Sequence, residues 1–308
     1  MINQPLWRRA IRLGAFTLAV LGVLLAIGLL PRLLGLLERN AFSDVRAYYD
    51  AGVRLNAGGP LYPGGADVNS SAFYRYPPLL AIAFRPLALL PYSVVAPAWA
   101  FAMMLALAIA IRRIGVKRPT MWMAVGILAF PILWSLALGQ AQILITLLLT
   151  IVSPWSVALA GQIKVLPALA AVYWVGRRDW RALGRFVAIT LALVAVQLIL
   201  EPTGTIAYLG VLNLGQVGPI DNLSPYGMSP LAWAVFATGL GGLALVSART
   251  RHGWAAAVAF SVLATPRLLW YLLVALLAAL RPAPPPSPAD PAPPVTSVTV
   301  DGDASEDR

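Results

Sequence analysis

The chain has no cysteine and a single histidine, His252. The first absence removes disulfides and thiol chemistry. The second removes any multi-histidine metal site. Acids are scarce as well: 12 Asp and Glu stand against 23 Lys and Arg. Before residue 282 the acids are Glu38, Asp44, Asp50, Asp67, Asp179, Glu201 and Asp221. No glycine-rich loop follows a strand-like run, which excludes a nucleotide-sugar site on a Rossmann domain. Apolar residues fill the space instead. They make up 59% of the 308 residues, and charged residues only 11%, the composition of an integral membrane protein. The net charge of +11 sits mostly in short loops between apolar runs. That is the pattern of membrane topology and implies membrane lipids as surroundings, with no nucleic acid as partner.

The chain divides by hydropathy. Residues 13–30 follow Arg8, Arg9 and Arg12 and predict a first crossing from a cytoplasmic N-terminus. No cleavage motif follows, so this run is expected to stay as an anchor. An outer loop is expected over 38–92. Its apolar part, 77–91, is broken by Pro77, Pro78, Pro86 and Pro91 and reads as interfacial or re-entrant. Residues 93–111, 120–138, 141–153, 186–200 and 229–247 predict further crossings. Two broken hairpins are expected, at 155–176 and 254–280, with Lys164 and Arg267 at their outer tips. The total is about ten crossings with both termini cytoplasmic. Six of the seven acids then fall outside and none mid-membrane, which argues against a proton-coupled transporter. Residues 282–308 are proline-rich and then acidic, a disordered tail without a core. The expected division is a polytopic membrane domain over 1–281 and that tail.

The stretch 38–78 holds four of the acids. Ser43 reads as an N-cap, and a helix is predicted over 44–57, ending at Gly58-Gly59. On it Asp44, Ala47 and Tyr48 share a face. Asp50 has Arg46 and Arg54 four residues either side and reads as an ion-pair residue. Asp44 has no such neighbour. It sits where the helix dipole favours a carboxylate, and reads either as a first-turn capping charge or as a general base.

The runs Asp44-Val-Arg-Ala-Tyr48-Tyr-Asp-Ala-Gly, Gly59-Pro-Leu-Tyr62 and Tyr76-Pro-Pro-Leu resemble the first outer loop of glycosyltransferase family 87. Gly139-Gln140-Ala-Gln142, Ile163-Lys164-Val-Leu-Pro167 with the Arg177–Arg181 run, and Thr265-Pro-Arg267-Leu-Leu-Trp-Tyr271 extend the likeness in the family's order. Each motif is weak alone; their order and spacing carry the match over most of 40–280. The resemblance implies an all-α, GT-C-type membrane bundle. It implies transfer of a sugar, most often mannose, from a polyprenyl-phosphate sugar donor to a lipid or glycan acceptor. Transfer would occur with inversion, on the extracytoplasmic face of the cell membrane. It also implies that Asp44, in the family's Asp-x-x-x-Tyr pattern with Tyr48, is the catalytic base.

A lipid-phosphate donor needs fixed positive charge at the outer headgroup level. Lys164 and Arg267 are candidates to bind its phosphate; the alternative for each is a cation snorkelling to lipid headgroups. Gln140 and Gln142 are candidates for sugar hydroxyls, or else helix-packing amides. Tyr48, Tyr62 and Tyr76 are candidates to stack on sugar rings, or else members of an aromatic belt. His252 reads as solvated. No cofactor and no metal is expected. Two other classes compete with the transferase: a secondary transporter or lipid flippase, which would need intramembrane ionisable residues, and a non-catalytic membrane subunit.

Overall fold

The computed structural model describes residues 6–64, 70, 72–212 and 222–283. Among them every regular element is a helix. Four helices are long and apolar enough to cross a membrane: α1 (Leu6–Gly28), α5 (Tyr92–Ile114), α11 (Trp180–Leu200) and α13 (Pro230–Ser247). A bent pair, Arg118–Ile127 and Ala129–Leu138, meets at 66° and makes a fifth span if counted as one. The other helices are short. They are α2 (Leu30–Asn40), α3 (Ser43–Asn56) and α4 (Pro78–Phe84) before α5, then α6 and α7 (the bent pair), α8 (Gln142–Ile151), α9 (Pro154–Ile163) and α10 (Val172–Arg177). After α11 come α12 (Pro202–Val211) and, beyond α13, α14 (Gly253–Leu263). Tight 3₁₀ segments cover Leu166–Ala171 and Trp270–Leu280.

Local chemistry sets the ends of the long spans. The Asp179 carboxylate accepts from the Ala182 amide at the start of α11. Ser229 accepts from Leu231 and Ala232 at the start of α13, where Pro230 takes the first position. Gly115, at φ +70, ends α5 in the left-handed conformation. Between α1 and α6, Gly22 faces Gly126, and a Cβ on Gly22 would collide with the Gly126 carbonyl. Close backbone approach through small residues is how apolar helices gain contact where no water drives them together.

The short helices make the interior. Ile143, Ile145 and Leu149 of α8 are fully buried, against α5, α9 and the Trp270–Leu280 segment. The fully buried Trp254 anchors α14. The outer-loop helix α3 docks on the same core with Asp44, Val45, Ala47, Tyr48, Ala51 and Leu55 buried. That is the face predicted from spacing, extended by two further turns.

Several expectations need correction. Ser43 is the first residue of α3 and not its cap: Phe42 takes the cap position at φ 56, and its amide donates to the Ala137 carbonyl at 3.0 Å. A tertiary contact thus fixes the entry of the helix in place of a side-chain cap. Between the expected crossings 186–200 and 229–247 the chain is not all loop: α12 forms there, started by Pro202 and by the Glu201 carboxylate accepting from Gly204. The 77–91 stretch forms the seven-residue α4 and a 3₁₀ turn at Leu87–Leu89. At 1.5 Å per residue α4 spans about 10 Å, too short to cross. Asp67, Asp221 and nearly all of the tail lie outside the described residues.

Candidate active site

The centre of the site is the turn between α7 and α8, Gly139-Gln140-Ala141-Gln142. Gly139 has φ +68, and a Cβ there would strike the Val45 side chain of α3. Glycine is required both for the conformation and for the approach of α3. Trp99 of α5 donates its indole N–H to the Gly139 carbonyl at 2.8 Å and holds the turn. Gln140 and Gln142 are thereby carried into the interior, 1% and 2% exposed.

Gln140 is a hub. Its amide nitrogen donates to the Asp44 carboxylate. Its oxygen accepts from Tyr76 Oη at 3.0 Å, Tyr48 Oη at 3.4 Å and Lys164 Nζ at 3.4 Å. Three donors on one carbonyl oxygen exceed its two lone pairs. Gln140 thereby joins Asp44 to Lys164. Gln142 accepts from Lys164 Nζ at 3.2 Å through its own oxygen.

Lys164 stands where α9 breaks. Its backbone is extended (φ −142, ψ 136), and the chain resumes as a 3₁₀ segment containing Pro167. The ammonium lies 4.6 Å from the Tyr271 ring centre and 5.2 Å from that of Tyr76. Two carbonyl acceptors and two aromatic faces are a built cation site. A snorkelling lysine reaches out toward headgroups; this one is held inward.

A cavity of about 190 Å³ opens beside it. Arg75, Tyr76, Gln142, Lys164, Arg267 and Tyr271 provide its polar wall, and Leu149, Val262 and Ala275 part of its apolar one. The second predicted cation, Arg267, is therefore on the same cavity as Lys164. Asn222 staples its segment: the Asn222 amide donates to the Pro266 carbonyl at 2.9 Å, and its oxygen accepts from the Leu268 amide at 2.9 Å. No carboxylate lines the cavity among the described residues, so its charge is positive. Among the same residues no three His, Asp or Glu side chains gather as a metal set.

Asp44 lies behind the cavity wall, one Gln140 away. No basic neighbour four residues along its helix pairs with it, but it is buried and hydrogen-bonded to Gln140. Burial raises its pKa from 3.8 to about 6, against the opposing pull of Lys164, Arg75 and the Gln140 bond. Asp50, by contrast, pairs with Arg46 at 3.0 Å on the outer face of α3, as spacing implied.

The tyrosines separate. Tyr76 lines the cavity. Tyr48 is wholly buried, its ring edge-on to Tyr76 at 5.0 Å and Phe84 at 5.4 Å, with no face open to a sugar. Tyr62 donates to the Tyr76 carbonyl at 2.6 Å and supports the wall from behind. Sequence reasoning passed over Arg75, Tyr208 and Tyr271, all on the cavity. Arg75 and Tyr271 stood inside stretches whose neighbours drew attention, and a cation between two tyrosines was the available signal.

Glycosyltransferase family 87 matches residues 73–289, a range that contains Arg75, Gln140, Lys164 and Arg267 and begins after Asp44. A polyprenol-phosphate-mannose-dependent alpha-(1-2)-phosphatidylinositol pentamannoside mannosyltransferase of Mycolicibacterium smegmatis is 31% identical over 229 residues, 67% of this chain and 55% of the relative. A protein of the same name from Mycobacterium tuberculosis is 30% identical over 202 residues, 58% of this chain and 47% of the relative. The chain thus spans about half the length of these curated relatives. No solved structure matches. With more than two thirds of its residues inside the match, the chain belongs to glycosyltransferase family 87.

Proposed function

We propose that the chain is a membrane mannosyltransferase that draws on a polyprenyl-phosphate-mannose donor. The observation that carries this reading is the gathering of Arg75, Lys164 and Arg267 around one cavity at two breaks in the helical bundle. In the proposed reaction the bond between the anomeric carbon and the phosphate oxygen breaks, and its electron pair leaves with the phosphate. The donor phosphodiester carries one negative charge and the departing polyprenyl phosphate up to two. Fixed cations therefore interact more strongly with the transition state than with bound donor, which is the condition for catalysis.

The acceptor hydroxyl attacks the opposite face of the same carbon, so the configuration inverts. Its proton passes to Asp44. A carboxyl raised to about 6 is ionised at neutral pH and more basic than an exposed aspartate. The hydroxyl reaches it when Gln140 releases the carboxylate. Gln140 acts through Asp44 and Lys164 and is a positioning residue. Tyr76 and Gln142 border the sugar, while Tyr48 and Tyr62 support the wall.

The same reading takes 1–281 as one GT-C-type domain with about ten crossings, the positive-inside rule putting both termini in the cytoplasm and the cavity outside. The relatives' names specify a phosphatidylinositol pentamannoside; for this chain the acceptor class is a lipid or glycan hydroxyl. Membranes holding equal amounts of inserted wild-type and Asp44→Asn chain would be given radiolabelled polyprenyl-phosphate mannose and candidate acceptors. Product from the wild type alone supports the reading. Equal product from both removes Asp44 as base, and no donor consumption by the wild type removes the transferase.

A further inference from the structure

A second concavity, of about 370 Å³, lies apart from the donor cavity, between α2 and α7. Arg32 and Arg39 line one wall; Phe130, Trp134 and Trp270 line the other. The aromatic wall is rigid, with Phe130 packed at 5.4 Å on Trp134 and edge-on at 5.5 Å to Trp270. Gly35 forms the floor. A Cβ there would meet nothing but the Arg39 guanidinium, so the absent side chain is what keeps the groove open. Arg39 donates from Nε to the Gly35 carbonyl at 3.1 Å, so the bond to the helix does not use its two terminal nitrogens.

The helix that carries these arginines is two-sided. Arg32, Gly35 and Arg39 share one face, at offsets of three and seven residues. Leu30, Leu34 and Leu37 occupy the opposite face and are 40–49% exposed. Glu38, the one acid of α2, falls about 100–120° round the helix from both arginines. No carboxylate lines the groove among the described residues. A short helix with exposed leucines on one side and arginines on the other lies flat at a membrane interface, its basic side at headgroup depth. The groove opens on that basic side.

We infer that this groove binds the headgroup of an anionic phospholipid, its phosphodiester on Arg32 and Arg39 and its apolar glycerol region against Phe130, Trp134 and Trp270. Arginine suits the role because its planar fork meets two phosphate oxygens at once. Tryptophan suits it because its ring packs on apolar surface while its N–H faces the polar layer. The site is separate from the donor cavity and does not depend on the transfer reading. The two are nonetheless neighbours in sequence, since Trp270 faces the groove and Tyr271 the cavity.

The test uses the full chain in neutral detergent, with fluorescent phosphatidylglycerol as probe and phosphatidylcholine, glycerol phosphodiester and inorganic phosphate as competitors. The expected result is saturable binding that phosphatidylcholine displaces poorly and the two chain-free compounds displace only at far higher concentration. The double variant Arg32→Gln/Arg39→Gln is expected to weaken binding about ten- to a hundred-fold. Gly35→Leu keeps both charges and fills the floor, and is expected to do the same. Both variants should keep the wild-type melting temperature and elution volume in detergent, which shows that they are folded. Unchanged phosphatidylglycerol binding in both variants overturns the proposal, as does equal binding of phosphatidylcholine. Displacement by inorganic phosphate as readily as by lipid would leave an anion site and overturn the lipid assignment.

Discussion

The long helices and the short ones divide the molecule into a shell and a core. Of the four long spans, 6–28% of each apolar window is buried; α11 and α13 are at 6%. The helices α8, α9 and α14 and the Trp270–Leu280 segment, each of 10 or 11 residues, hold much of the interior. An exposed helix in hydrocarbon must satisfy every backbone group along its whole length, so it must be long and unbroken. A helix enclosed by others is released from that demand. It can stop at Gly139, Lys164 or Ala264, and the interruption frees polar groups to face a cavity. The site lies at the breaks for this reason, while the shell contributes few of the cavity's polar residues.

That contrast can be broken most directly at Asp44. Asp44→Asn is expected to lower transfer about a hundred- to ten-thousand-fold while the protein inserts normally, because a carboxamide keeps the size and cannot accept the proton. With Asp44 as the proposed base, the wild-type rate should fall as pH drops through about 6 and level off above it, since only the carboxylate accepts a proton. The raised pKa also means that the folded chain holds this proton more tightly than the unfolded one. Between 3.8 and about 6, stability therefore declines as pH rises. Asp44→Asn, neutral throughout, should keep or gain thermal stability while losing activity. A variant that loses both in parallel would mark Asp44 as structural.

The next effect in size is at the broken helix itself. Lys164→Ala should weaken apparent donor affinity and rate by about ten- to a hundred-fold, the worth of one charge-assisted hydrogen bond to a phosphate. Lys164→Arg should retain part of the activity. Donor titration on equal amounts of inserted protein distinguishes this from a mere insertion defect. Unchanged kinetics in Lys164→Ala would take the lysine out of the site.

Two smaller effects sharpen the contrast from the other side. Asp50→Asn removes the exposed pair with Arg46, worth about 0–1 kcal/mol, and should leave transfer within a few-fold of wild type. Leu191→Ala, at a position 63% exposed on α11, should change neither transfer nor melting temperature measurably. A large loss from Leu191→Ala would mean that the shell does more than enclose the core, and one from Asp50→Asn that the outer face of α3 takes part in transfer.

The sequence by itself determined the all-helical class, the four long spans and the buried face of α3. Each follows from hydropathy or from a 3.6-residue period, which are properties of neighbouring residues. It also picked out Asp44, Lys164, Arg267 and Tyr76 as residues of chemical interest. Only the tertiary structure decided what surrounds them. The helix dipole alone favours an ionised Asp44, but its pKa is raised by desolvation in the folded core, while Lys164, Arg75 and the hydrogen bond from Gln140, 96 residues away, pull it back down. Gln140 stands out in the sequence only as an amide at a helix end, and the fold alone brings donors to its oxygen from α3, from the segment before α4 and from the break after α9. Arg75 and Tyr271 join Lys164 only because segments far apart in the chain close on one cavity. Desolvation and hydrogen-bond saturation depend on which atoms lie within a few ångströms, and in a bundle of short buried helices those atoms come from distant parts of the chain.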